Sequence, residues 1–133
     1  MDREILAANE AFYRAFTTRD FDAMDRLWAT LAPVTCVHPG WSPARGREPV
    51  MVTWQSILSS PDCPQIAPAN ATAHMLGDGA AYVICEEHFN GSVLIATNIF
   101  VREAGEWKMN HHQAGHLRTQ IEVPAPKADR GVN

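Results

Sequence analysis

Two periods of hydrophobic positions divide the chain. From Arg3 to Phe16, the residues Ile5, Leu6, Phe12, Ala15 and Phe16 fall mostly on one helical face, which predicts an amphipathic helix. Thr17-Thr18-Arg19-Asp20 breaks that pattern. Asp20 is placed to N-cap a second helix running to about Leu31, with Phe21, Met24, Leu27, Trp28 and Leu31 as its apolar stripe. Pro33 ends helical structure, because proline has no N–H to donate and disfavours helix in the residue before it. A short β-prone run from Val34 to His38 leads into Pro39-Gly40-Trp41-Ser42-Pro43, a loop punctuated by two prolines and a glycine. A third helix enters at Gly46-Arg47-Glu48-Pro49, carries Val50, Val52, Trp54, Ile57 and Leu58, and ends near Ser59-Ser60-Pro61.

Past this point the period shortens to two. Gln65 to Leu76, Ala80 to Asn90, Ser92 to Arg102 and Trp107 to Leu117 read as four strands. The turns between them are Gly77-Asp78-Gly79, Asn90-Gly91 and Ala104-Gly105-Glu106, and Asn-Gly between apolar runs is the strongest short hairpin signal. Three helices followed by an antiparallel meander predict an α+β domain with its helices against one face of the sheet.

Composition narrows the class. The 133 residues suit one domain, expected over 1–122, with a loose C-terminal tail over 123–133 (Pro124, Pro126, Lys127, Asp129, Arg130, Gly131). A hydrophobic fraction of 46% and a charged fraction of 20% fit a folded globular chain. The net charge of −4 gives no reason to approach nucleic acid, and no apolar run is long enough to span a membrane. With acidic residues at its start and no signal-peptide core, the chain is read as cytoplasmic. Cys36, Cys63 and Cys85 are odd in number and widely spaced, which is not a disulfide framework; Cys36 and Cys85 sit in apolar runs as buried small residues.

The matching stretches Asn9 to Trp28 (NEAFYRAFTTRDFDAMDRLW), Val34 to Ile57 (VTCVHPGWSPARGREPVMVTWQSI) and Asn98 to His112 (NIFVREAGEWKMNHH), with a Gly-x-Trp before the last strand, follow one another in a familiar order. That order resembles the NTF2-like superfamily, in particular its SnoaL-like and ketosteroid-isomerase-like branches, over about residues 3 to 118. The resemblance implies a cone-shaped fold with three N-terminal helices packed on a curved, mainly antiparallel sheet. It also implies a pocket inside the cone and a homodimer formed through the sheet.

The same resemblance selects candidate residues. His38 ends the first short strand where the isomerase branch carries its proton-abstracting aspartate, and a histidine can take and return a proton near neutral pH. The oxyanion-hole tyrosine of that branch falls on Phe12, with Tyr13 one place away, and its late-strand acid falls on Thr97, with Asn98 adjacent. Neither Thr97 nor Asn98 can act as a neutral carboxylic acid, although either can orient a hydrogen bond. On the last strand the resemblance turns Asn110, His112 and Ala114 toward the pocket, and Trp107, Met109 and His111 outward.

Other candidates come from the residues themselves. Tyr82, Ile84, Glu86 and His88 alternate with Val83, Cys85, Glu87 and Phe89, so one glutamate must face inward. Alternation leaves open which one. A Glu–His pair across the pocket would make an acid–base system, so Glu86 or His112 stands as the second acid–base group beside His38, with a salt bridge or a dimer contact as the structural alternative for the glutamate. Trp41, Trp54, Phe16, Met24 and Tyr82 are candidate pocket walls, and Trp41 stands out because it lies in a loop beside His38. The ligand-binding set is completed by Phe12, Tyr13, His88 and Asn110. His38, His74, His88, His111, His112 and His116 show no local metal-ligand spacing, so no metal is expected.

The resulting functional expectation is a small-molecule-binding protein, acting as a cofactor-independent isomerase or cyclase-like enzyme by proton transfer on a compact apolar carbonyl compound. A non-catalytic ligand-binding or dimerising association module is the alternative.

Overall fold

A computed structural model describes residues 2–121. The domain limit expected at 122 and the tail expected over 123–133 lie outside the described residues. The elements are α1 (Asp2–Thr17), α2 (Phe21–Leu27), β1 (Thr35–Val37), β2 (Ala44–Arg45), α3 (Arg47–Ser59), β3 (Ala67–Met75), β4 (Ala80–Phe89), β5 (Ser92–Glu103) and β6 (Glu106–His116). Among the described residues no helix is long and apolar enough to cross a membrane.

Helix α1 buries Ile5, Asn9, Phe12, Tyr13 and Phe16, an i, i+4, i+7, i+8, i+11 stripe that includes one polar residue. Asp20 caps α2 as expected, its carboxylate accepting the Ala23 N–H at 3.0 Å. That helix is shorter than its apolar stripe predicts and stops at Leu27, leaving Leu31 84% exposed. The reason lies elsewhere in the chain. The Arg47 guanidinium takes the carbonyls of Asp25, Trp28 and Ala29 at 2.7, 3.0 and 3.2 Å. The Glu103 carboxylate accepts the N–H groups of Thr30, Leu31 and Ala32 at 2.8 to 3.0 Å. With both ends of segment 28–32 satisfied by side chains, nothing is gained by another helical turn.

The sheet has the order β2-β1-β6-β5-β4-β3, and every neighbouring pair is antiparallel except β1 with β6. Strand β2, which the sequence pattern did not predict, is a two-residue edge beside β1. The β4–β5 turn closes between Phe89 and Ser92, with Asn90 at φ 49° and Gly91 at φ 76°, the pair of left-handed residues that a type I′ turn needs. All three helices cover one face of the curved sheet. Inner-face residues of β4 (Ala81, Val83, Cys85, Glu87) and β5 (Leu94, Ala96, Asn98, Phe100) are buried, while their alternates are more exposed. The fold is thus the expected α+β cone.

Strand β6 departs from simple alternation. Ile99 pairs with His111 and Phe100 with Met109, so Asn110 is an extra, bulged residue. The bulge reverses parity, and Met109 faces the helices, fully buried, while Trp107 packs at the core margin with its Nε1–H toward Glu4 of α1 at 3.3 Å. The expectation that Trp107 and Met109 point outward and Asn110 inward is corrected by this one inserted residue.

Candidate functional site

His38 follows β1 and is buried between the rings of Trp41 and Trp54, at centroid distances of 5.0 and 4.8 Å. Its Nε2 lies 2.9 Å from the Thr53 hydroxyl of α3, and that hydroxyl donates to the Val50 carbonyl at 2.7 Å. The hydroxyl can therefore only accept from the ring, which places the proton of neutral His38 on Nε2 and a lone pair on Nδ1. Burial lowers the His38 pKa from 6.5 to about 4.

His112 lies on β6 beside Cys36 of β1 in the parallel pairing, and it is buried. Its Nδ1 meets the Asn98 Oδ1 at 2.5 Å. An amide oxygen only accepts, so Nδ1 carries the proton and Nε2 the lone pair. The Asn98 amide nitrogen donates in turn to Asn9 Oδ1 at 2.8 Å and to the Tyr13 hydroxyl at 3.2 Å. Tyr13 donates to Glu87 Oε2 at 2.6 Å. The circuit closes on the starting ring, because Glu87 Oε2 is 4.0 Å from His112 Nε2. That gap is too long for a hydrogen bond and short enough for one bridging group.

The electrostatics follow from burial. His112 is pushed down to about 3, first by desolvation and then by its neighbours His38 and His111. Glu87 is pushed up by desolvation, with the Tyr13 hydrogen bond partly opposing. Desolvation, with the Glu87 carboxyl beside it, raises Tyr13 as well, so Tyr13 keeps its proton and acts as a donor. Since burial favours the uncharged form of both Glu87 and His112, a proton held between them lies on Glu87.

Glu87, His112 and His38 all open on one cavity of about 300 Å³, with His116 also in its lining. Its apolar wall includes Phe16, Trp41, Ile57, Ile66, Phe89 and Leu94. A larger groove of about 650 Å³, lined in part by Arg14, Arg26 and Lys108, lies away from these groups. The smaller cavity is the candidate site, because a pocket where buried titratable groups with displaced pKa values converge is where chemistry is expected.

Of the residues singled out from the sequence, His38, His112, Asn98, Tyr13 and Trp41 are gathered here. Phe12 and Trp54 are not in the lining. They are fully buried behind it, edge-to-face at 5.5 Å, and Phe12 supports the His112 ring at 4.9 Å. Glu86, Tyr82, His88 and Thr97 are on the opposite face of the sheet. Glu86 bonds His88 Nε2 there at 2.8 Å, and Tyr82 stacks on His74 at 4.7 Å. Thr97 pairs across from Ile84 on that face. Asn110 sits in the bulge, where its amide donates to the Pro33 carbonyl at 3.4 Å.

The inward glutamate is Glu87, which shares parity with Val83 and Cys85. Asn9 was missed, although its place in the α1 stripe between Ile5 and Tyr13 marks it. Thr53 was missed too, since nothing local ties it to His38. Cys36, Cys63 and Cys85 are buried free thiols. Among the described residues no three His, Cys, Asp or Glu side chains gather as a metal-binding group.

The family model for the SnoaL-like domain matches residues 5–117. A proposed dehydratase of the NTF2-like family from Streptomyces avermitilis is 29% identical, with a TM-score of 0.80 over 88% of this chain and 96% of that one. A proposed calcium/calmodulin-dependent protein kinase type II association domain from Thiobacillus denitrificans is 30% identical, with a TM-score of 0.74 over 84% of this chain and 94% of that one. The F-box protein SKIP8 of Arabidopsis thaliana is 27% identical over 114 residues, 84% of this chain but 49% of that protein, so the chain spans about half the length of this curated relative. With nearly all of its described length matched, the chain belongs to the SnoaL-like domain family, within the NTF2-like superfamily.

Proposed function

We propose that the chain is a small-molecule enzyme of the isomerase or dehydratase kind, which moves protons on a compact, largely apolar carbonyl compound using its own side chains. The observation that carries this reading is the buried Glu87–His112 pair, 4.0 Å apart on the cavity and fixed in place by Tyr13 and Asn98. His112 Nε2 takes a proton from the carbon next to the carbonyl, and the electron pair moves into the new enolate. Glu87 delivers its proton to a second carbon, giving an isomer, or to a hydroxyl one carbon further on, which leaves as water. Either course ends with imidazolium beside carboxylate. The proton then returns across the gap to Glu87, and no other reagent is consumed. Positioned acid–base groups of this type contribute about 10²- to 10⁴-fold in rate.

The test needs no knowledge of the natural substrate. Small cyclic ketones and their 3-hydroxy derivatives are incubated with the protein in D₂O, and loss of the α-proton signal or appearance of an enone is followed by NMR. The expected outcome is exchange or dehydration above the buffer rate, falling about 100-fold or more in Glu87→Gln at unchanged melting temperature. Rates equal in wild type and Glu87→Gln would remove the pair from the chemistry. A second reading, a ligand-binding or dimerising module without turnover, is favoured by the 30% identity to the proposed association domain. Ligands that bind in the cavity and stay chemically unchanged would support it.

A further inference from the structure

The hydrogen-bonding character of the cavity is set from behind its wall. Thr53 holds the His38 proton on Nε2, so Nδ1 presents a lone pair. Asn98 holds the His112 proton on Nδ1, so Nε2 presents another. Neither ring nitrogen hydrogen-bonds to anything among the described residues. The two rings are 6.4 Å apart, centroid to centroid, and both line the same cavity. The polar side of the cavity therefore offers two acceptors, with Glu87 as the neighbouring carboxyl. Among the described residues no lysine or arginine lines it, and apart from His116 nothing there answers a carboxylate or phosphate. A ligand that brings only acceptors, such as a plain ketone, would strip water from both lone pairs and return no hydrogen bond to either. Sites built to hydrogen-bond a hydroxyl discriminate strongly against analogues that lack it.

We propose that the molecule taken by this cavity is a neutral, hydroxyl-bearing ring compound, whose O–H groups donate to His38 Nδ1 and His112 Nε2 while a carbonyl oxygen faces Glu87. This rests on the reading of the cavity as a small-molecule site and not on turnover, since a hydroxyl donating to His112 Nε2 occupies the one lone pair that proton abstraction from carbon would use. The aromatic side chains of Phe16, Trp41 and Phe89 in the lining suit a planar ring. The volume of about 300 Å³, at the small end for ligand sites, limits it to one or two rings. Trp41 is 47% exposed while its ring meets His38, so a bound ring would complete a face that the protein leaves half open.

The test is a titration of ¹⁵N-labelled protein with four probes of nearly equal shape: indane, 1-indanone, 5-hydroxy-1-indanone and 5,6-dihydroxy-1-indanone. Affinity is expected to rise at least about tenfold from 1-indanone to the dihydroxy compound. The ring ¹⁵N signals of His38 Nδ1 and His112 Nε2 should shift only with the hydroxylated probes. His38→Phe should erase most of the hydroxyl advantage, and the wild-type ring shifts decide the matter should that variant fold poorly. Indane or 1-indanone binding as tightly as the dihydroxy compound would overturn the inference while leaving the cavity a ligand site. No response at cavity residues to any of the four would remove the ligand-site reading along with it.

Discussion

At His38 the competition is between hydration of a charged ring and the packing of Trp41, Trp54 and Thr53 around a neutral one. Its pKa of about 4 in the folded chain, against 6.5 when hydrated, has a consequence for stability. As the pH falls below 6.5 the unfolded chain takes up a proton that the folded chain refuses until about 4. Stability therefore decreases over that window as acid is added, and is fully present above it. His112, held at about 3, acts in the same direction. Glu87, raised by burial, acts oppositely, its contribution being present at low pH and lost as the pH rises through its folded value. Going from pH 7 to pH 5, His38 alone is expected to cost about 2 kcal/mol. Urea unfolding of wild type and His38→Phe at both pH values checks this. The variant should lose less stability on acidification, and equal losses would mean that His38 is not held neutral by the fold.

The strands show how a local rule can be right and still misplace a residue. Helix positions, the Asn90-Gly91 turn and the alternation of β4 and β5 were legible, because each depends on near neighbours in the chain. The early end of α2 was not, since it is set by Arg47 and Glu103, which are distant in sequence. The choice between Glu86 and Glu87 was half legible: Val83 and Cys85 mark the inner face, but Ile84 and Tyr82 are equally apolar. The faces of β6 were invisible, because the bulge at Asn110 inserts one residue without any glycine or proline to announce it. The bulge is structural in a testable sense. Deleting Asn110 with His111 and His112 held in register would leave a regular ladder, Met109 still opposite Phe100 and still in the core, so the deletion should cost less than the roughly 2–5 kcal/mol that losing a buried methionine costs. Asn110→Ala keeps the extra residue and removes a buried amide oxygen that has no partner among the described residues, so it should change stability little. Chemical denaturation of the two variants separates the roles. A deletion variant that loses as much as an unburied Met109 would show that the bend at the bulge, and not the parity alone, seats β6 against the helices.

For the molecule as a whole, the helices and the cavity occupy one face of the sheet and leave the other uncovered. Across that outer face run the rows Tyr82–Ile99–His111, Ile84–Thr97–Gln113 and Glu86–Ile95–Gly115, so Ile84, Ile95 and Ile99 ring Thr97 at its centre and its flank carries the Glu86–His88 and His74–Tyr82 pairs. An apolar centre with a polar margin is the composition of a protein interface, and a self-complementary face closes most simply as a two-fold dimer. Ile95, at 36% exposure, lies at one end of this centre. Light scattering is expected to give twice the chain mass for wild type and the single-chain mass for Ile95→Lys, because a lysine ammonium facing its symmetry mate costs more to bury than the isoleucine gains. The neighbouring Leu94 points the other way, into the cavity. A dimer through this face and a ligand in the cavity would therefore use opposite sides of the same strand, and the monomeric variant should retain whatever the wild-type cavity binds. A wild type that is monomeric at tens of micromolar would leave the isoleucine rows as exposed sheet, and a variant that loses both dimer and ligand would mean that the two faces are coupled through β5.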